Sequence, residues 1–252
     1  MKKIKIQKKD VIYLSIIAAL LLIITAISVI CFLETEKENQ ISNMERYYNN
    51  KCSSFATQNV NLSKGQIVFV GDSITDLFPL DDYFADLDLA CYNRGIGGDT
   101  TRGLIDRLNV SIFDIKPSKI VLMIGTNDVD GGKDNDYIIE NYRVILDKIR
   151  SSLPDAEIYF MSVIPQNKDL EASSGLDVTK NNEQIIALNA EIELLSREYD
   201  CIYIDLFSAL LDESGYLRSD CSDDGLHLNA NGFKIWADIL RPMLKMEENT
   251  NY

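Results

Sequence analysis

Apolar residues in this chain fall into one long run and several short ones. Val11 to Leu33 carries no charge and is interrupted only by the weakly polar Ser15, Thr25 and Ser28. The short runs are β-branched and aromatic, and each stops at glycine or polar residues. Ile67-Val68-Phe69-Val70 ends in Gly71-Asp72-Ser73, and Leu87 to Tyr92 gives way to Asn93-Arg94-Gly95-Ile96-Gly97-Gly98-Asp99-Thr100. Lys119 to Ile124 ends in Gly125-Thr126-Asn127-Asp128, Ala156 to Ile164 in Pro165-Gln166-Asn167, and Cys201 to Leu206 forms the last. Runs this short, bounded by turn formers, predict five buried strands. Between them the apolar spacing is helical. Leu104, Ile105 and Leu108 predict a helix from near Thr101 that ends before Lys116-Pro117; others are expected over Tyr137–Ile149, over Glu183–Tyr199, and from Asn229 until about Lys245. Residues 166–180 read as a polar connection.

Strands alternating with helices of crossover length require a parallel sheet covered on both faces. The expected architecture is α/β, a three-layer α/β/α sandwich, over residues 65–245. The long run changes the picture at the other end. At about 1.5 Å per residue in a helix it crosses a hydrocarbon core of roughly 30 Å, and Lys2, Lys3, Lys5, Lys8 and Lys9 precede it. The positive-inside rule keeps those lysines in the cytoplasm. The expected order is a basic tail (1–10), a transmembrane signal-anchor (11–33), an extracellular stalk without apolar period (34–64), the α/β domain (65–245) and a tail (246–252). Ala26-Ile27-Ser28 is an imperfect cleavage site, and the apolar run continues past it, which favours an anchor over a cleaved, secreted form.

The formal net charge is −14. An acidic exterior without a basic stripe repels phosphate backbones, so nucleic acid is excluded as a partner. Cys91 and Cys201 lie in strand-like runs as small buried hydrophobes, so at most one disulfide is expected. Asp128, Asp130, Asp134 and Asp136 have no register matching an EF-hand and read as a solvated loop.

Open α/β sheets carry their chemistry beyond the carboxyl ends of the strands. There the chain presents Ser73, Gly98 and Asn127, and a later loop holds Asp223-Asp224-Gly225-Leu226-His227. A serine hydroxyl needs a base to become a nucleophile, and His227 is the chain's one histidine. Asp224, three residues earlier, can orient the imidazole, with Asp223 as competitor. The backbone N–H groups of Ser73 and Gly98, the latter in competition with Gly97, and the Asn127 amide can serve as an oxyanion hole. Each feature alone has a plainer reading: a serine after a strand is usually a turn former, and a lone histidine a structural residue.

Gly71-Asp72-Ser73, the loop ending in Gly98-Asp99-Thr100, Gly125-Thr126-Asn127-Asp128 and Asp224-x-x-His227 together resemble, in order, the four blocks of the SGNH (GDSL-type) hydrolases. The glycine loop is most similar to those of platelet-activating-factor acetylhydrolase and lysophospholipase-like esterases. The resemblance implies a flavodoxin-like sheet of five parallel strands and ester hydrolysis without metal or cofactor. It also implies Ser73, Asp224 and His227 as catalytic residues, with Ser73, Gly98 and Asn127 as the oxyanion hole. The expected protein is a membrane-anchored, outward-facing esterase acting on a small acyl ester, such as an O-acetylated glycan or a lysophospholipid. A cell-wall O-acetyltransferase with the same residues and a non-catalytic surface binding module are the alternatives.

Overall fold

The computed structural model describes residues 8–245. Most of the expected basic tail and all of the C-terminal tail lie outside the described residues. The chain divides into two compact units, Met1–Asn50 and Lys51–Tyr252. Helix α1, Lys8–Asn59, makes up the described part of the first and enters the second. Its large apolar residues from Leu20 to Leu33 are 53–71% exposed, and an 18-residue window of it reaches a mean hydropathy of 2.4. Among the described residues it is the one helix long and apolar enough to cross a membrane. The expected stalk is itself helical as far as Asn59. Residues 34–59 contain neither proline nor glycine, and Glu, Lys, Gln, Met and Ala extend a helix readily without an apolar stripe. The second compact unit starts at Lys51.

The second unit is built on five parallel strands: β1 Ile67–Gly71, β2 Cys91–Gly95, β3 Lys119–Met123, β4 Glu157–Met161 and β5 Ile202–Ile204. Their order across the sheet is β2-β1-β3-β4-β5, the flavodoxin-like arrangement. Along the chain the helices are α2 Ser73–Asp76, α3 Leu80–Phe84, α4 Thr101–Leu108, α5 Thr126–Asp130, α6 Asn135–Ser152, α7 Asp169–Ser174, α8 Val178–Glu198, α9 Leu206–Leu210 and α10 Ala230–Leu244.

Side chains alternate across the strands, so one sequence run fills both cores. Val68, Val70, Ile120, Leu122, Ile158 and Phe160 pack with Leu104, Ile145, Leu188 and Ile192 from α4, α6 and α8. Ile67, Phe69, Val121, Met123, Tyr159 and Met161 face the other way, against Phe84, Phe233, Trp236 and Leu240 from α3 and α10. That is the three-layer sandwich expected. Two expectations need correction. The second strand begins at Cys91 and runs through Asn93 and Arg94 to Gly95, because Leu87 and Leu89 cover the Phe69 core from outside the sheet. The connection 166–180 is partly helical, containing α7 and the first turn of α8.

Since β1 lies between β2 and β3, the chain leaves it to opposite sides. The crevice this opens is at the carboxyl end of β1, where Ser73 stands.

Candidate active site

Ser73 is the first residue of α2. The preceding Asp72 caps that helix, its Oδ1 accepting from the Ile74 N–H at 3.0 Å. Gly71 leaves room for the close approach of β3 there: a Cβ on it would lie 2.1 Å from the Met123 carbonyl oxygen. The Ser73 hydroxyl is therefore held at the strand's end with its own N–H at the open end of a helical turn.

His227 arrives on the loop before α10. Asp224 folds the chain back on itself, its Oδ1 accepting from the Leu226 N–H at 2.9 Å and the His227 N–H at 2.8 Å. Its Oδ2 lies 2.6 Å from His227 Nδ1, and His227 Nε2 lies 2.9 Å from Ser73 Oγ. With Nδ1–H donating to the carboxylate, the Nε2 lone pair is left to accept from the serine hydroxyl. Burial pushes the Asp224 carboxyl up, but the bonds from the imidazole and from two backbone N–H groups outweigh it and hold the group at about 2. Asp223 accepts from Asn229 Nδ2 instead, so the aspartate bonded to the imidazole is Asp224.

Gly98 sits in the loop after β2 with φ of +76°, a left-handed conformation that a side chain would strain. Asn127 lies on α5 beyond β3, and its Nδ2 donates to the Asp99 carbonyl at 2.8 Å. One of its two amide hydrogens is thus used to fix the side chain on the Gly98 loop, and the other remains available to a ligand.

Behind these loops lies a buried polar network that the sequence reading missed. Arg107 and Asp99 pair at 2.6 Å with side chains 1% and 2% exposed. The same guanidinium donates to the carbonyls of Gly71 at 2.8 Å and Arg94 at 2.7 Å, and to Ser111 Oγ. One side chain therefore ties together the ends of β1 and β2 and the loop that carries Gly98. Asp128, read as part of a solvated loop, is buried instead; it accepts from the Thr101 N–H and hydroxyl. Asp130 accepts from Gln166 and Asn181. Burial pushes the carboxyls of Asp99, Asp128 and Asp130 up. It pushes Asp72 up to about 7, against the bond from Ile74 and with the charges of Asp99 and Asp128 adding to it. Asp72 Oδ2 is buried without a hydrogen-bond partner among the described residues, as suits a carboxyl that keeps its proton.

Beyond β4 the chain runs past the sheet, and two asparagines of α8 take over as its partners. Asn189 bonds both backbone groups of Val163, and Asn182 both of Gln166. Asn167 then donates its N–H to the Gly225 carbonyl at 2.8 Å, which ties this segment to the histidine loop. A signal for these residues existed. Arg107 lies on the stripe of Leu104 and Leu108, and Asn182 and Asn189 on that of Ile185, so each is a polar residue at a core-facing position.

No disulfide joins the five cysteines. No group of three or more His, Cys, Asp or Glu among the described residues could hold a metal ion.

Known proteins share this architecture. The GDSL-like Lipase/Acylhydrolase family model matches residues 69–235. The chain is 27% identical over 182 residues to the platelet-activating factor acetylhydrolase IB subunit alpha2 of Rattus norvegicus, covering 70% of this chain and 73% of that one. It is 26% identical over 167 residues to the GDSL esterase/lipase WDL1 of Oryza sativa subsp. japonica, covering 61% and 64%. A solved structure from Streptococcus pneumonia, provisionally designated a platelet activating factor, superposes with a TM-score of 0.75 at 26% identity, covering 82% of this chain and 97% of that one. The family match runs from the strand that delivers Ser73 to the helix that follows His227, and the chain belongs to the GDSL-like lipase/acylhydrolase family.

Proposed function

We propose that the protein is a serine ester hydrolase working through an acyl-serine intermediate, with Ser73, His227 and Asp224 as its triad. The observation that carries this reading is the continuous relay from Ser73 Oγ through both imidazole nitrogens to Asp224, at 2.9 and 2.6 Å. His227 Nε2 takes the hydroxyl proton as Oγ attacks the ester carbonyl. It then returns that proton to the leaving alcohol, and in the second half of the cycle it activates water against the acyl-serine in the same way. Asp224 keeps the imidazole in the tautomer this requires and stabilises the imidazolium that forms. The Ser73 and Gly98 N–H groups and the free Asn127 amide hydrogen are the donors for the oxyanion.

Helix α1 is the anchor: its Val11–Leu33 stretch spans the bilayer, the lysines before it stay in the cytoplasm, and the catalytic unit faces outward. The substrate is a small acyl ester, in line with the acetylhydrolase named among the relatives. Its alcohol is a lysophospholipid, an O-acetylated glycan or a comparable small hydroxyl compound.

A chain beginning at residue 35, assayed over p-nitrophenyl esters of rising acyl length and over acetylated glycans, tests the chemistry. Activity highest on the short acyl chains and abolished in Ser73→Ala is expected; full activity in Ser73→Ala contradicts the nucleophile assignment. For the anchor, the full chain should resist extraction by alkaline carbonate, and protease added to intact cells should release the active domain. Full-length protein in the cytosol would reject it.

A further inference from the structure

The last two turns of α1 lie in the same compact unit as the sheet and are built into it. Phe55 and Asn59 are 4% and 5% exposed. Arg94, near the end of β2 and itself buried, donates to Asn59 Oδ1 at 2.9 Å and sits 4.6 Å from the centre of the Phe55 ring. Asn59 in turn donates to the Val110 carbonyl at 2.7 Å. One turn further back, Lys51 Nζ lies 2.5 Å from Asp76 Oδ1, with the two side chains 28% and 18% exposed.

Asp76 is the residue that makes this contact informative. It closes α2, the four-residue helix that Ser73 opens, and its N–H donates to the Asp72 carbonyl at 2.9 Å. A helix of one turn cannot hold itself, because nucleation costs more than its few hydrogen bonds return. The geometry of α2 is therefore imposed by what surrounds it. On one side β2 does this. The Asn93 amide donates to the carbonyls of Thr75 and Phe78, and the backbone of Asp76 presses on Gly95, where a Cβ would lie 2.1 Å from Asp76 N. On the other side it is Lys51. A carboxylate at the last position of a helix is disfavoured by the backbone carbonyls there, and an ammonium beside it removes that penalty.

We propose that Lys51, seated by Phe55 and Asn59, is a positioning residue for Ser73: the end of the N-terminal helix belongs to the catalytic apparatus and fixes the turn that presents the nucleophile. The proposal rests on Ser73 being that nucleophile. Displacing a reacting group by about 1 Å costs on the order of 10²-fold in rate, so a partial release of α2 should cost roughly tenfold.

The test uses the full chain in its membrane, with a short-chain p-nitrophenyl ester as substrate and a fluorophosphonate as a probe of Ser73. In Lys51→Met, kcat and the rate of Ser73 phosphonylation should fall together by about tenfold with KM unchanged, while Lys51→Arg keeps both near wild type. Asp76→Asn should reproduce the loss, and the double variant should be no worse than either single one. Should Lys51→Met fail to fold, Asp76→Asn alone decides by the same two rates. A lowered melting temperature with an unchanged phosphonylation rate per folded molecule would make the contact merely structural and overturn the proposal, as would additive losses in the double variant. Ser73→Ala in parallel separates the two readings: its full activity overturns the active-site assignment itself, whereas an inactive Ser73→Ala beside a normal Lys51→Met overturns only the role of Lys51.

Discussion

The two halves of the site are held by opposite means. Ser73 and the Gly98 loop rest on three buried aspartates, Asp72 bonded to the Ile74 N–H, Asp99 to the Arg107 guanidinium and Asp128 to Thr101, and burial pushes all three carboxyls up. His227 and Asp224 sit on a turn closed by its own backbone, with side chains 31% and 53% exposed, and there the carboxyl is held down at about 2. Rigidity on the first side comes from low dielectric and unavoidable partners, where an unmet polar group is costly. On the second it comes from local hydrogen bonds that water could also make. The division suits the proposed chemistry: a nucleophile and oxyanion donors must be preorganised, while a base must gain and lose a proton and so needs solvent near it.

Substitutions on the two sides should therefore fail differently. Ser73→Ala is expected to lower kcat by about 10⁴-fold or more with circular dichroism unchanged, because a hydroxyl is lost and no core is opened. Arg107→Met should instead lower stability by about 3–5 kcal/mol, read from its urea midpoint, since it strands the Asp99 carboxylate in the interior. If Arg107→Met unfolds at the wild-type midpoint, the buried network is not what stiffens the nucleophile side. Asn127→Ala stands between the two, with kcat down about 10²–10³-fold and a small change in midpoint. A change confined to KM would move Asn127 from the transition state to ground-state binding.

The smallest effect separates the halves by pH. An unfolded aspartate loses its proton near 3.8, whereas folded Asp72 keeps it to about 7. Between those values the folded state binds more protons, so this group makes stability fall as pH rises from about 4 to about 7. Asp99, Asp128 and Asp130 act in the same direction. Asp72→Asn should flatten that slope in urea midpoints taken across the range, and an unchanged slope would show Asp72 to be ionised throughout. Asp224 has the reverse sign: its contribution is present at neutral pH and disappears only as pH falls through about 2.

The same contrast explains what could be read from the sequence. The strands announced themselves because apolar runs stopping at Gly71, Gly125 and Pro165 have few other uses, and Asp224-x-x-His227 because a turn brings residues three apart together without outside help. The β2 strand was misplaced, since Leu87 and Leu89 are apolar for a core they cover without entering the sheet. Arg107 and Asn182 do not enter the sequence reading, although a charge or amide on a buried stripe points to backbone needing a partner. The docked end of α1 left no trace at all: Lys51, Phe55 and Asn59 have their partners in Asp76, Arg94 and Val110, far along the chain, and no local pattern encodes such contacts.

The central claim is that Ser73 is a nucleophile activated by the protein's one histidine. It is tested most directly by reacting the enzyme and its His227→Ala variant with a fluorophosphonate, timing the labelling, and locating the adduct by peptide mass spectrometry. An adduct on Ser73 alone is expected, formed at least about 10³-fold more slowly in His227→Ala. An adduct on another residue, or labelling of the variant at the wild-type rate, would contradict it.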